Sequence, residues 1–137
     1  MMIDYQTTLH GITEASLAGG FFAGWPHPPR PARHLAILQG SSHIVLACDR
    51  STGQVVGFVN ALSDGVLSAY IPLLEVLPAW QGQGIGTELM RRMLAQLGDL
   101  YAVDLLCDPD MQPWYTNLGM VPATAMALRQ YARQSAC

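Results

Sequence analysis

Gly82, Gly84 and Gly86 stand at every second position of the run Pro78-Ala79-Trp80-Gln81-Gly82-Gln83-Gly84-Ile85-Gly86-Thr87. Glycines let a main chain turn sharply and approach a ligand closely. A helix that begins there presents unpaired N–H groups and the positive end of its dipole. The natural guest of such a turn is a phosphate. Just before it, Glu75 interrupts the apolar run Leu73-Leu74-Glu75-Val76-Leu77. A buried carboxylate is costly unless it is paired or used, and burial lifts its pKa toward that of a working general base. Asp104, within the apolar stretch 101–107, follows the same logic and is the alternative base. His27, His34 and His43 are isolated and read as loop or surface histidines rather than catalysts.

Other phosphate motifs fit less well. No Gly-Lys-Ser/Thr occurs, which removes the P-loop. Thr87 stands where a dinucleotide fingerprint needs its third glycine, and Pro78 to Gln81 separate the preceding strand from the turn.

The elements that must position these groups are legible in outline. From Ile85 the apolar residues Leu89, Met93 and Leu97 recur, with Met90 and Leu94 beside them, opposite Glu88, Arg91, Arg92 and Gln96. That periodicity predicts an amphipathic helix opened by the glycines. Residues 67–77 form a strand apolar on both sides, as at the centre of a sheet covered on two faces. Pro72 interrupts it and cannot donate to the ladder, so a bulge or an unpaired edge is expected there. A bulge resets the alternation, which leaves open the face toward which Glu75 points. Further strands are expected at 2–6, 42–48, 54–62 and 101–107, with a hairpin turn at 49–53 and another turn at Ser63-Asp64-Gly65. Helices are expected from Thr13 to just before Gly19-Gly20, and over 32–39, stopping at Gly40. The proline-rich stretch 21–31, with Phe21, Phe22 and Trp25, reads as an irregular functional loop, since exposed aromatics would be odd in a spacer.

Gln81, Gly84 and Gly86 fill the pattern [Gln/Arg]-x-x-Gly-x-[Gly/Ala], and the segment resembles the acyl-coenzyme A signature of the GNAT superfamily of N-acetyltransferases. Trp114-Tyr115-Thr116-Asn117-Leu118-Gly119-Met120 is similar to that family's aromatic-Tyr-x-x-Leu-Gly-aromatic element, with Met120 in place of the usual phenylalanine. The order also matches: strand, glycine turn, helix, strand, short helix, strand. The resemblance is clear over 54–129. It implies a single α/β (α+β) domain over 1–137, with a central mixed, mostly antiparallel, splayed sheet of about six or seven strands flanked by about four helices.

For function, the resemblance implies transfer of an acetyl group from the co-substrate acetyl-coenzyme A, without a metal, to a primary amine of a small molecule or peptide in a ternary complex. Gln81, Gly82, Gln83, Gly84, Ile85, Gly86 and Thr87 would hold the pyrophosphate, and the main chain of Val76 and Leu77 the pantetheine arm. A backbone N–H near Val76 would meet the oxyanion. Tyr115, in contact with the coenzyme, would be the general acid for the departing thiolate, with Glu75 the leading base and Asp104 its alternative. Many relatives carry their acid nearer the strand's start, where this chain has Tyr70. Asp108 replaces an asparagine frequent seven residues before the tyrosine, and an ionised aspartate accepts but does not donate. The acceptor pocket is expected from the 21–31 loop, the Asp64 turn and residues 104–110, with Trp25, Tyr70 and Asp108 as contacts.

Composition bounds these readings. With 137 residues, 50% hydrophobic and 12% charged, the chain can bury a core. No run approaches the ~18 apolar residues of a membrane span, and the N-terminus lacks a basic region followed by an apolar one, so cytoplasmic residence is expected. Cys48, Cys107 and Cys137 show no metal-type spacing and read as reduced thiols, Cys107 as a small buried hydrophobe. A net charge of −3 argues against nucleic acid and suits a cationic acceptor. All seven basic residues are arginines; Arg91 and Arg92 could reach coenzyme phosphates or form a solvated face. A homodimer is compatible with the sequence. The rival readings are a non-catalytic acyl-coenzyme A sensor and a nucleotide-binding α/β domain.

Overall fold

The structure, a computed structural model, describes residues 2–137. Its sheet contains β1 (Ile3–Gln6), β2 (His43–Asp49), β3 (Val55–Ser63), β4 (Ser68–Ile71), β5 (Leu74–Val76) and β6 (Ala102–Leu105). The strand order is β1-β2-β3-β4-β6, with β5 also on β3. Every pairing is antiparallel except β4 with β6. Three α-helices occur among the described residues: α1 (Pro31–Gln39), α2 (Ile85–Gln96) and α3 (Gln112–Thr116). The mixed, mostly antiparallel sheet of six strands is the expected one, with one helix fewer.

The missing helix is the one expected from Thr13. It is a single 3-10 turn, Glu14–Leu17, in which the Ser16 hydroxyl accepts the Thr13 N–H at 3.1 Å and closes the turn on itself. The strand expected after α3 does not form either. Residues 121–130 are exposed and pair with no strand.

β3 is the spine of the molecule. Val55, Val56, Phe58, Val59 and Ala61 are all buried, because helices cover both faces. One face meets α2, which contributes Ile85, Leu89, Met90 and Met93. The other meets Phe21, Phe22 and His34, whose rings pack on Phe58 at centroid distances of 5.2, 6.1 and 4.4 Å. This corrects the reading of 21–31 as an exposed aromatic loop: its two phenylalanines are core residues. It also corrects His34, which is buried on α1 rather than on the surface. Burial pulls its pKa down to about 4, and its Nε2 meets no partner, so the ring is neutral and part of the apolar core.

Gly57 allows α2 to lie close to this spine. A Cβ there would stand 3.1 Å from Leu89 Cδ1, 3.3 Å from Ile85 Cγ2 and 3.2 Å from the Glu75 carbonyl oxygen. The last is main chain of β5 and cannot swing aside. Gly57→Val is therefore expected to destabilise the fold by ~1–3 kcal/mol through overpacking, measured by urea unfolding. An unchanged midpoint would show that helix and strand can part freely.

Candidate active site

The site begins with the break in the strand that carries Pro72. The pairs Leu62–Tyr70 and Val59–Leu74 are one residue out of step, so β4 and β5 are two halves of one strand separated by a one-residue bulge. Asn60 holds the break open. Its Oδ1 accepts the Leu73 N–H at 3.1 Å, its own N–H donates to the Leu73 carbonyl at 3.2 Å, and its Nδ2 donates to Ser41 Oγ at 3.0 Å. Buried and polar in an apolar strand, Asn60 substitutes for the ladder that the proline denies.

Beyond Ile71 the two neighbours diverge. β6 pairs with β4 as far as Leu105, while β5 follows β3. Between them opens a cleft of about 660 Å³ lined by Trp25, Glu75, Val76, Gln81, Asp108 and Tyr115, among others.

Ladder geometry decides what β5 offers this cleft. Asn60 donates to Leu73 O and Leu77 donates to Val56 O, so the odd residues of β5 turn their main-chain groups to β3 and the even ones turn theirs to the cleft. Val76 therefore presents a free N–H, while Gln81 Nε2 donates to its carbonyl at 2.9 Å. Leu77 is different: its N–H goes to Val56 and its carbonyl accepts from Trp80, both at 2.8 Å. Of the two residues assigned to pantetheine, only Val76 keeps a main-chain donor for it.

The glycine turn abuts the same cleft. Gly84, in the left-handed region at φ 84°, is the residue from which α2 starts. The first helical bond runs from the Glu88 N–H to the Gly84 carbonyl, and the N–H groups of residues 82–87 donate to no group among the described residues. Six successive donors at a helix start form an anion cradle. A Cβ at Gly82 or Gly84 would meet nothing within 4 Å, so the cradle's surface is open. Arg91 and Arg92 both pair with Glu88, at 2.6 and 2.9 Å, and Arg92 also lies 4.4 Å over the Tyr5 ring. They sit on a paired, solvated helix face.

Glu75 stands opposite Phe58 in the register and so points to the face away from α2. Its Oε1 accepts the Phe22 N–H at 2.8 Å. Burial pushes its carboxyl above the ordinary value, and the bond from Phe22 pulls it partly back. Phe22 adopts φ 63°, a strained conformation for a bulky residue, held by its burial against Trp25, His34 and Phe58. The Tyr115 hydroxyl has no hydrogen-bond partner among the described residues. Burial, reinforced by Cys107, raises its pKa, so it is a protonated donor at the cleft.

The other expected groups lie elsewhere. Asp104 is exposed, because β6 is an edge strand, and with its register partner Tyr70 it lines a second hollow beyond β6. It is not the buried base its sequence context suggested. Asp64 closes its own turn, accepting N–H groups from Val66, Leu67 and Ser68, which hold its carboxyl below the usual range. It lines neither opening. Trp25 and Asp108 do line the cleft, joined by Arg129, which sequence reasoning did not single out. Phe22 and Asn60 were also missed; an asparagine amid apolar residues was the available signal for the second, and none exists for the first.

Residues 12–120 match the profile of the Acetyltransferase (GNAT) family. The chain belongs to that family. A crystal structure from Deinococcus radiodurans R1, of a protein provisionally assigned as an acetyltransferase, superposes on this chain with TM-score 0.93 and 56% identity, over 97% of this chain and 92% of that one. An uncharacterized N-acetyltransferase of Porphyra purpurea is 29% identical over 72% of this chain, and a chloroplastic GCN5-related N-acetyltransferase of Arabidopsis thaliana 41% identical over 50%. The chain spans 58% and 30% of the length of those two relatives. No helix among the described residues is long and apolar enough to cross a membrane.

The raised pKa of Glu75 gives a stability test. An unfolded carboxyl ionises first, so wild type loses stability as pH rises from the ordinary value of 4.5 through the raised folded value. Glu75→Gln keeps an acceptor for Phe22 and lacks this loss. Its thermal midpoint relative to wild type should become more favourable as pH rises above the ordinary value of 4.5; a flat difference, followed by calorimetry, would show that the carboxylate is solvated.

Proposed function

We propose that this acetyltransferase carries an acetyl group from acetyl-coenzyme A to a primary amine of a small molecule or peptide, by direct attack in a ternary complex. The observation that carries the reading is the convergence on one cleft of a free strand N–H at Val76, a half-buried carboxylate and an unpartnered tyrosine hydroxyl, with a six-donor anion cradle starting beside Gln81 on the cleft wall. The cradle suits the pyrophosphate, and Val76 suits the amide-bearing arm that must reach the break in the strand.

In the reaction the amine nitrogen attacks the thioester carbon. The N–C bond forms, the C–S bond breaks, and one proton moves from nitrogen to sulfur. Glu75 receives the amine's proton, directly or through a water. Burial raises its pKa and so makes it a stronger base than an exposed carboxylate. The main-chain N–H that Val76 turns to the cleft faces the carbonyl oxygen as charge develops. Tyr115 gives its proton to the departing sulfur, and the two groups return to their resting states as products leave.

Asp108 on the cleft wall and the chain's net charge of −3 favour a cationic acceptor. Cytoplasmic residence belongs to the same proposal and rests on the free cysteines Cys48, Cys107 and Cys137. The Arabidopsis relative is chloroplastic.

A thiol-release screen over polyamines, amino acids, aminoglycosides and peptide N-termini tests the reaction; no release with any acceptor counts against it. Tyr115→Phe should lower turnover by ~10² to 10³ with little change in coenzyme affinity, and unchanged turnover would remove Tyr115 from the acid role. Gly84→Glu places a side chain and a negative charge in the cradle and strains the turn. Calorimetry should then show no coenzyme binding, whereas undiminished affinity would relocate the phosphates.

A further inference from the structure

The cleft carries one charge that the acetyl-transfer steps leave unused. Its charged lining residues are Glu75, Asp108 and Arg129. The two carboxylates have work to do, since Glu75 takes the amine's proton and Asp108 suits an ammonium group entering the same space. Arg129 has no assigned role. Among the described residues, the arginines that donate side-chain hydrogen bonds are Arg33, Arg50, Arg91 and Arg92. Arg129 donates none and forms no ion pair there. A guanidinium keeps its charge at every working pH and presents its donors as a planar fork. Facing an open cleft without a partner, such a group is suited to a carboxylate or a phosphate.

The chain beyond Arg129 fixes where it stands. Gln130 follows it directly, and the Gln130 carbonyl accepts the Arg133 N–H at 2.9 Å, opening the 3-10 turn Tyr131–Arg133. That turn is tied to the stretch that carries Trp25. The His27 N–H donates to Gln134 Oε1 at 2.9 Å, and Arg33 Nε donates to the Ala136 carbonyl at 2.7 Å. Trp25 and Arg129 therefore reach the cleft from two segments bonded to each other. The phosphate cradle is elsewhere, at the start of α2 beside Gln81. Arg129 stands at the β6 end instead: with Leu105, Leu106, Cys107 and Tyr115 it also lines the hollow of about 1020 Å³ beyond β6, which none of residues 78–88 lines. The anion that this guanidinium meets thus belongs to the acceptor rather than to the coenzyme's phosphates.

We propose that Arg129 sets acceptor specificity by binding a carboxylate of the acceptor, so that the amine acetylated in this cleft belongs to an amino acid. This rests on the acetyl-transfer reading and adds the class of its acceptor. An amino acid is a zwitterion, and the cleft has a partner for each end. Glu75 and Asp108 meet the ammonium group, which is the cation that Asp108 favours, and Arg129 meets the carboxylate through two parallel N–H···O bonds. A polyamine would set a second cation against the guanidinium. A peptide N-terminus, like an amino-acid amide, would leave the guanidinium with no anion to bind.

Thiol release from acetyl-coenzyme A, measured with the standard amino acids, their amides, their decarboxylated amines and spermidine, tests this. For wild type the best amino acid should exceed its own amide and its decarboxylated amine in kcat/KM at least about 10-fold, the loss expected when a charge-assisted contact goes unmade. Arg129→Met should remove most of that preference while calorimetry shows coenzyme affinity retained. Arg129→Lys should restore part of it, since lysine keeps the charge and lacks the fork. Amides or polyamines used as well as amino acids overturn the proposal. So does a preference that survives Arg129→Met, or a loss that falls on coenzyme affinity instead. Release with amides or polyamines alone refutes the amino-acid assignment and leaves acetyl transfer standing, whereas no release with any acceptor refutes acetyl transfer and this inference with it. Arg129 is exposed, so both variants should keep a cooperative thermal transition; should Arg129→Met fail to fold, the wild-type preference and Arg129→Lys still decide.

Discussion

Pro72 has no N–H to donate, and the site follows from how the sheet accommodates that lack. The strand is buried at Ile71 and half-buried through the break that follows, where an unpaired main-chain group is costly. Asn60 resolves the conflict by supplying a side-chain acceptor to Leu73 and reaching Ser41 with its amide. The ladder resumes one residue later on β5, directed along β3 and away from β6. The parting of the two strands exposes Val76, makes room between Glu75 and Tyr115, and brings the cleft to the start of α2. Without the bulge, the same residues would make a closed sheet with no entrance.

The Glu75 carboxylate depends on packing behind it rather than on neighbours in sequence. Glu75 is held from above by the Phe22 N–H, and Phe22 reaches that position only by adopting a left-handed conformation. The strain is tolerated because its ring is locked among Trp25, His34 and Phe58. The aromatic cluster and the neutral His34 thus bear on the carboxylate they never touch, by fixing the one donor that does.

Much of this was legible in the residues, for reasons specific to each. The glycine turn announces itself because a left-handed residue at the start of a helix and a ligand-facing main chain both demand glycine. Pro72 marks the break because no other residue is barred from the ladder in the same way. The orientation of Glu75 was not legible, since it turns on a single extra residue whose place is set by Asn60 across the sheet. Nor could sequence show that Phe21 and Phe22 turn inward, because proline-rich surroundings resemble a surface loop whichever way the rings face. Asp104 misled for a related reason. Its apolar flanks look like a central strand, but β6 is the sheet's edge and leaves that position in water. The strand expected after α3 has a strand's composition and no neighbour within the chain to pair with.

The groups left free by the glycine turn and by Val76 beside the cleft are main-chain N–H groups, which every residue except proline possesses. Substitution by any residue but proline can tilt them or crowd them without deleting them. The far wall is made of side chains, Trp25, Asp108 and Arg129, each replaceable by a single codon change. The two walls therefore respond differently to substitution: the main-chain wall changes only where a new side chain crowds it or a proline removes a donor, while the side-chain wall changes one residue at a time.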